Sequence, residues 1–144
     1  MQQVISDESI AIDPSSKALK TLITVLAVVM SLYHMYVAGF GPPEAVIFRG
    51  THLMFALALV FLLYPSSPTG GITARSYDML LLAMGIAAIA HIFIDYENFT
   101  NRIIYIDELT KTDLFYSFVM VVIVLEGTRR VIGWALPLTA IIFA

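Results

Sequence analysis

Residues 21–40 read TLITVLAVVMSLYHMYVAGF, and none of these side chains carries a formal charge. A helix rises about 1.5 Å per residue, so this stretch reaches about 30 Å, the thickness of the hydrocarbon core of a bilayer. The whole chain has the same character: of its 144 residues, 59% are hydrophobic and 13% are charged, whereas soluble domains carry about 25% charged residues. We therefore expect an all-α integral membrane protein.

Three more apolar runs follow, over residues 45–64, 79–94 and 114–125. The Gly-Pro-Pro turn at residues 41–43 is short, and proline disrupts a helix, so the first two helices are expected to be antiparallel neighbours. The third run is rich in alanine and glycine, which permit close helix packing in lipid, and it should lie inside a bundle. Arg75 and Asp78 are assigned to the loop before it.

The fourth run is too short to cross a bilayer unaided. It holds twelve charge-free residues, or about 18 Å of helix, between Asp113, the expected N-cap, and the sequence EGTRR at residues 126–130. The flanking charges must snorkel, thin the bilayer or be buried against other protein. We predict four antiparallel transmembrane helices in residues 17–130, a polar cytoplasmic tail in residues 1–16, and a fifth hydrophobic segment, truncated, in residues 131–144.

The distribution of lysine and arginine predicts the orientation, because cytoplasmic connections carry an excess of these residues. With the tail inside, five basic residues are cytoplasmic and three are external. The cytoplasmic set is Lys17, Lys20, Arg75, Arg129 and Arg130, and the external set is Arg49, Arg102 and Lys111. A cytoplasmic N-terminus is therefore favoured.

Composition excludes several classes of function. The net charge is −3 and no basic run is present to bind a phosphate backbone, so nucleic acid is not expected as a partner. The lack of cysteine removes disulfides, thiolate metal sites and cysteine nucleophiles. The sequence has no glycine-rich phosphate loop, no metalloprotease histidine pair and no serine nucleophile elbow. We expect no catalytic residue, no cofactor-binding residue and no metal ligand, and hence no enzyme.

Three histidines, His34, His52 and His91, fall in the apolar runs at similar predicted depth. Imidazoles at one depth on neighbouring helices can bind haem iron or relay protons, so a haem b-binding membrane anchor of a quinone oxidoreductase is the alternative function. Polar side chains in membranes more often hydrogen-bond across helix interfaces. We predict that structural role, with a backbone carbonyl or Tyr36 as the partner of His34 and His52. A small protein that only oligomerises through its third helix is a further alternative.

Glu126 and Arg130 are four residues apart in the order that favours an ion pair on a helix. Two interpretations stay open at this point. The pair snorkels to the lipid headgroups, or it is a buried network that docks the fourth helix on something absent from this chain. The shortness of the fourth run favours docking, and we expect Glu126→Ala alone to be more harmful than Glu126→Ala combined with Arg130→Ala.

Two strings carry a family resemblance. The first is YHMYVAGFGP at residues 33–42, followed by Arg49, His52 and the apolar run to Tyr64; the second is LEGTRRVIGWALP at residues 125–137. They resemble the fused permeases of the tripartite ATP-independent periplasmic (TRAP) transporters. The first string is similar to the N-terminal part of these permeases. The second is similar to the join at which their four-helix small-subunit region passes into the large-subunit region.

The resemblance implies a bacterial inner-membrane protein that takes part in ion-gradient-driven symport of organic acids, typically carboxylates, delivered by a periplasmic substrate-binding protein. In such permeases the substrate and ion sites lie in the large-subunit region, which would follow residue 144. The present chain would then be a membrane scaffold whose partners are that large permease region, the binding protein and the lipid bilayer. Glu126 and Arg130 would face the large-subunit region.

Overall fold

The computed structural model describes residues 17–67, 71–103 and 106–143, and within these ranges the chain is all-helical, as predicted. The six helices are α1 (Lys17–Phe40), α2 (Ala45–Leu63), α3 (Gly71–Ile94), α4 (Tyr96–Asn101), α5 (Lys111–Ile132) and α6 (Ala135–Phe143). The predicted tail, residues 1–16, and residue 144 lie outside the described residues.

Local chemistry sets the helix boundaries. Gly41 has a φ of +93°, which only glycine adopts readily, and it ends α1. The Glu44 carboxylate accepts a hydrogen bond from the main-chain N–H of Val46 and caps α2. The N-cap of α5 is Thr110, not Asp113 as the sequence suggested, because the two side chains form a reciprocal capping box in which Asp113 is the third helical residue.

Three helices are long and apolar enough to cross a membrane: α1, α2 and the part of α3 over Thr73–Ile94. The fourth predicted span, α5, is not among them, although the helix has 22 residues and is therefore about 33 Å long. Basic and acidic residues at both of its ends, Lys111 and Asp113 at one and the EGTRR sequence at the other, lower its hydropathy. The multi-pass character is thus supported by three helices among the described residues.

The core lies between α2, α3 and α5, each of which contacts the other two. Helices α2 and α3 run antiparallel, since Gly50 near the start of α2 meets Phe93 near the end of α3. Helices α3 and α5 also run antiparallel, since His91 near the end of α3 lies beside Asp113 near the start of α5. The buried side chains of the core are Leu57, Phe61, Leu81, Ile89, Val119 and Ile123. The predicted place of the alanine- and glycine-rich helix inside the bundle is therefore confirmed.

Helix α1 has a different environment. Among the described residues it contacts α2 alone, and only 6% of its apolar window is buried, compared with 28% for α3. Leu32, Met35 and Phe40 are among its exposed apolar side chains. In a membrane this exposed surface is the part of the helix that lipid would cover.

The start of the third helix is corrected by the structure. The sequence predicted a loop up to residue 78, whereas α3 begins at Gly71 and includes Asp78 in its second turn. The Asp78 side chain is 0% exposed. A carboxylate inside an apolar helix is tolerated when a cation pairs with it, and α5 provides that cation.

Candidate functional site

Four charged residues form the main polar site of the bundle, at the end where α2 passes into α3. This charged cluster consists of Asp78 from α3 and Glu126, Arg129 and Arg130 from the last two turns of α5. Residues 126 and 130 share one helix face because they are four residues apart, and that face is turned toward α3. Two positive and two negative charges make the cluster neutral.

Arg130 is the centre of the cluster, and its side chain is 3% exposed. Its Nη1 donates to Asp78 Oδ1 at 2.6 Å and to the main-chain carbonyl of Tyr64 at 3.1 Å, while its Nε donates to Glu126 Oε1 at 2.8 Å. The guanidinium carbon also lies 4.8 Å from the centre of the Phe61 ring, a cation–π distance. One side chain thereby joins the C-terminal end of α2, the second turn of α3 and its own helix.

Asp78 ties the loop after α2 into the same site. Its two carboxylate oxygens accept from the main-chain N–H of Ser66 at 3.1 and 3.3 Å. A buried carboxylate that binds both a guanidinium and a main-chain N–H has the hydrogen bonds that offset its desolvation. The segment between α2 and α3 is consequently anchored to α5 both directly, through the Tyr64 carbonyl, and through Asp78.

Glu126 binds both arginines. Arg129 Nε and Nη2 donate to its two oxygens at 2.7 and 2.8 Å, in the two-pronged geometry typical of arginine–carboxylate pairs. Arg129 is 31% exposed, and its guanidinium carbon lies 5.4 Å from the centre of the Trp134 ring. Arg129 is therefore the outer, partly accessible member of the cluster, whereas Arg130 is the inner one.

These contacts show a Glu126–Arg130 pair that differs from both interpretations, because its further partner lies within the chain. The ion pair is present, and the burial of Arg130 matches a docked network and not a headgroup contact. Its partner among the described residues is Asp78 of the same chain, so the network joins α5 to α3. That Glu126 and Arg130 face a large-subunit region stays a prediction. The Glu126 side chain is 19% exposed, so part of it remains accessible from outside the bundle.

His34 and His52 meet on the contact between α1 and α2. The His34 Nδ1–H donates to the main-chain carbonyl of Met30 at 2.7 Å, and His34 Nε2 lies 2.9 Å from His52 Nδ1. The sequence predicted a carbonyl or Tyr36 as partners; the carbonyl serves His34, and His34 itself serves His52. The Tyr36 ring instead stacks on Phe40, with ring centres 4.8 Å apart.

His91 belongs to a separate site on α3 and α5. Its Nε2 lies 2.9 Å from Asp113 Oδ1, and its ring stacks on Tyr116 with centres 4.7 Å apart. Among the described residues α1 contacts α2 alone, and His91 lies on the contact between α3 and α5, so the three histidines do not converge at one point. In the part of the chain that the structure describes, no three histidine, aspartate or glutamate side chains are grouped so that they could hold a metal ion.

A polar pocket of about 260 Å³ lies at the opposite end of the bundle from the charged cluster. Its lining residues are Asp95, Asn98, Phe99, Asn101, Arg102, Asp107, Glu108, Thr110 and Asp113. Asp95 accepts a hydrogen bond from Asn98 at 2.6 Å. Nearby, a hydrogen bond to the Glu44 carboxylate raises the pKa of Tyr96.

Sequence reasoning missed Asp78 and the Asp113 partner of His91. Their partners are 52 and 22 residues away along the chain, so neither pair has a local spacing to reveal it. The available signal for Asp78 was its position directly before the apolar run that starts at residue 79, where a helix extended toward the N-terminus would bring it into the bundle. No protein-family model, curated protein or solved structure matches this chain.

Proposed function

We propose that this chain is the membrane scaffold of a TRAP-type secondary transporter permease. The permease would import organic acids, delivered by a periplasmic binding protein, with an ion gradient as the energy source. The proposal rests on the resemblance of residues 33–42 and 125–137 to such permeases. The chain would act as a support and not as the site of substrate binding.

A supporting role is favoured by the binding partners of the buried charges. Asp78 and Arg130 bind each other and the main chain of residues 64 and 66, so these charges hold α2, α3 and α5 together. Intramembrane charges in a transport pathway instead face a water-filled cavity or exchange partners. A bundle held together in this way is suited to be the static region of a permease, against which the transporting region moves.

The transmembrane arrangement is the second element of the proposal. We infer that α5 crosses the membrane as a fourth span, since the pairing and burial of Arg130 reduce the cost of placing EGTRR near the bilayer boundary. The excess of lysine and arginine favours a cytoplasmic N-terminus in a bacterial inner membrane. Both statements concern topology and are testable without knowledge of the substrate.

Single cysteines test this topology cleanly because the native chain has none. We expect Pro42→Cys to react with an impermeant reagent added outside intact cells, and Ile10→Cys and Gly70→Cys to react only after permeabilisation. External labelling at position 10 or 70, or none at position 42, contradicts the proposed orientation. A cysteine after α5, at Trp134, should share the accessibility of position 70 if α5 crosses the membrane.

Function is tested in two steps. The DNA that follows codon 144 should encode a large permease region in frame and lie beside a gene for a periplasmic binding protein. The permease reconstituted in liposomes should then take up an organic acid only when the binding protein and an ion gradient are both supplied. Uptake without the binding protein contradicts the TRAP assignment.

The haem-anchor alternative has a direct spectral test. His34 and His52 bind each other, and His91 binds Asp113, so in this structure no two histidines face each other across a space the size of a haem. A Soret band in the purified protein that disappears on His34→Ala or His52→Ala would nevertheless establish the haem function and refute the scaffold.

A further inference from the structure

We propose that His34 and His52 form a two-histidine site for a divalent transition metal of tetragonal geometry, Cu²⁺ or Ni²⁺, that clamps α1 to α2. The inference goes beyond the scaffold function and does not depend on it. It rests on three features of the pair: which ring nitrogens face each other, the distance between them, and their accessibility.

The first feature is the orientation of His34. Its Nδ1–H donates to the Met30 carbonyl at 2.7 Å, so in the neutral ring Nε2 carries the lone pair. A histidine that binds a metal almost always donates its other N–H to a carbonyl or carboxylate, which fixes the ring and raises the basicity of the ligating nitrogen. His34 has that arrangement, and its Nε2 points at His52.

The second feature is the distance. His34 Nε2 and His52 Nδ1 lie 2.9 Å apart. Two imidazole nitrogens, each about 2.05 Å from one metal, lie about 2.9 Å apart at a right angle and about 3.35 Å apart at a tetrahedral angle. In the metal-free pair this separation is that of a hydrogen bond. It also equals the separation of two adjacent ligands of a square-planar or tetragonal ion, the geometry that Cu²⁺ and Ni²⁺ prefer, so metal binding requires the two rings to turn their lone pairs toward the ion but not to move apart.

The third feature is access. His52 is exposed, whereas His34 is half-buried, so one side of the pair is open. Because lipid covers exposed helix surface within the bilayer, water would complete the coordination shell from the interface at the end of the hairpin. His34 lies six residues before the end of α1, about 9 Å along the helix, which places the pair near the end of the α1–α2 hairpin and within reach of the interface.

Metal binding requires a change of tautomer at His52. In the metal-free pair, the His52 Nδ1–H donates to His34 Nε2. With the metal bound, the His52 proton resides on Nε2, and both facing nitrogens donate lone pairs to the ion. The two neutral rings keep one proton each, so the exchange releases no net proton.

The experiment uses the full chain, purified in detergent with a cleavable tag that contains no histidine. Ni²⁺ and Cu²⁺ are titrated by calorimetry, and the melting temperature is followed with and without one equivalent of metal. We expect saturable binding of one ion and an increase in melting temperature in the wild type. His34→Gln and His52→Gln should each lose both effects.

His91→Gln is the matched control, because His91 is the third histidine of the chain and lies on a different helix contact. It should bind metal as the wild type does. Binding that persists in His34→Gln and His52→Gln, or that is lost in His91→Gln, overturns the proposal.

A spectroscopic measurement on the unmodified protein guards against variants that misfold. Electron spin-echo spectroscopy of the wild type loaded with Cu²⁺ should show coupling to the remote nitrogens of two imidazoles. Coupling to one imidazole or to none overturns the two-histidine site, whatever the behaviour of the variants.

Discussion

The bundle is joined by polar contacts at two places that differ in burial. At the charged cluster, Arg130 and Asp78 have side chains that are 3% and 0% exposed, and they bind three helices together. At the histidine pair, His52 is exposed and the contact joins α1 to α2 only. Removing a partner from the buried ion pair leaves an uncompensated charge, whereas removing one from the neutral histidine pair leaves no charge without a partner. The cost of a substitution should therefore follow burial and not the number of hydrogen bonds.

Asp78→Ala is expected to have the largest effect. It leaves Arg130 without its buried carboxylate and the Ser66 N–H without its acceptor. The free energy of unfolding in mixed micelles should fall by about 3–5 kcal/mol, as for other broken buried ion pairs. Asp78→Ala combined with Arg130→Met, which removes both charges, should cost less than Asp78→Ala alone. A loss below about 1 kcal/mol in the single variant would show that the pair is solvated in the protein.

Packing between α2 and α3 gives the next effect. A Cβ added at Gly50 would lie 2.6 Å from Cε1 of the Phe93 ring, so the ring must move. We expect Gly50→Ala to destabilise the bundle by about 1–3 kcal/mol, the usual cost of overpacking. Gly127→Ala is the matched control, since its Cβ would meet Val60 at an ordinary 3.6 Å. That control should be neutral or stabilising because alanine favours a helix; equal losses in both variants would refute the close approach.

Glu126→Ala should cost about 1–2 kcal/mol, since Arg130 keeps Asp78 and the Tyr64 carbonyl while Arg129 is partly solvated. The sequence alone predicted that adding Arg130→Ala would lessen the damage. Because Asp78 depends on Arg130, we now expect the double variant to be less stable than the single one. The same unfolding measurement decides, and a double variant that is more stable than the single one would restore the earlier expectation.

The histidine pair should give the smallest effect. In the presence of a chelator, His34→Gln or His52→Gln should change the free energy of unfolding by less than about 1 kcal/mol, because glutamine keeps a donor and an acceptor at a neutral contact. A loss of unfolding free energy as large as that of Asp78→Ala would mean that α1 is as strongly held as the core helices. It would contradict the expected difference between the histidine pair and the charged cluster.

The helices were largely predictable because hydropathy is a local property. The runs at residues 21–40 and 45–64 correspond closely to α1 and α2. Asp78 is a residue whose structural role depends on a distant part of the chain. A charge is normally a boundary signal, and only a cation 52 residues away makes it part of a buried helix. His91 was singled out for its type, but its partner Asp113 was interpreted as a cap because nothing in the sequence indicates which helices become neighbours.

The pairing of Asp78 with Arg130 has a consequence for the order of events during synthesis. Asp78 leaves the ribosome 52 residues before its partner, which corresponds to about 3–10 s at ordinary translation rates. During that interval α3 holds a carboxylate for which α5 does not yet exist. Biogenesis must therefore retain α3 in a hydrated environment, or at the insertion machinery, until α5 emerges, so the last helices of the bundle determine when the third one can be released into lipid.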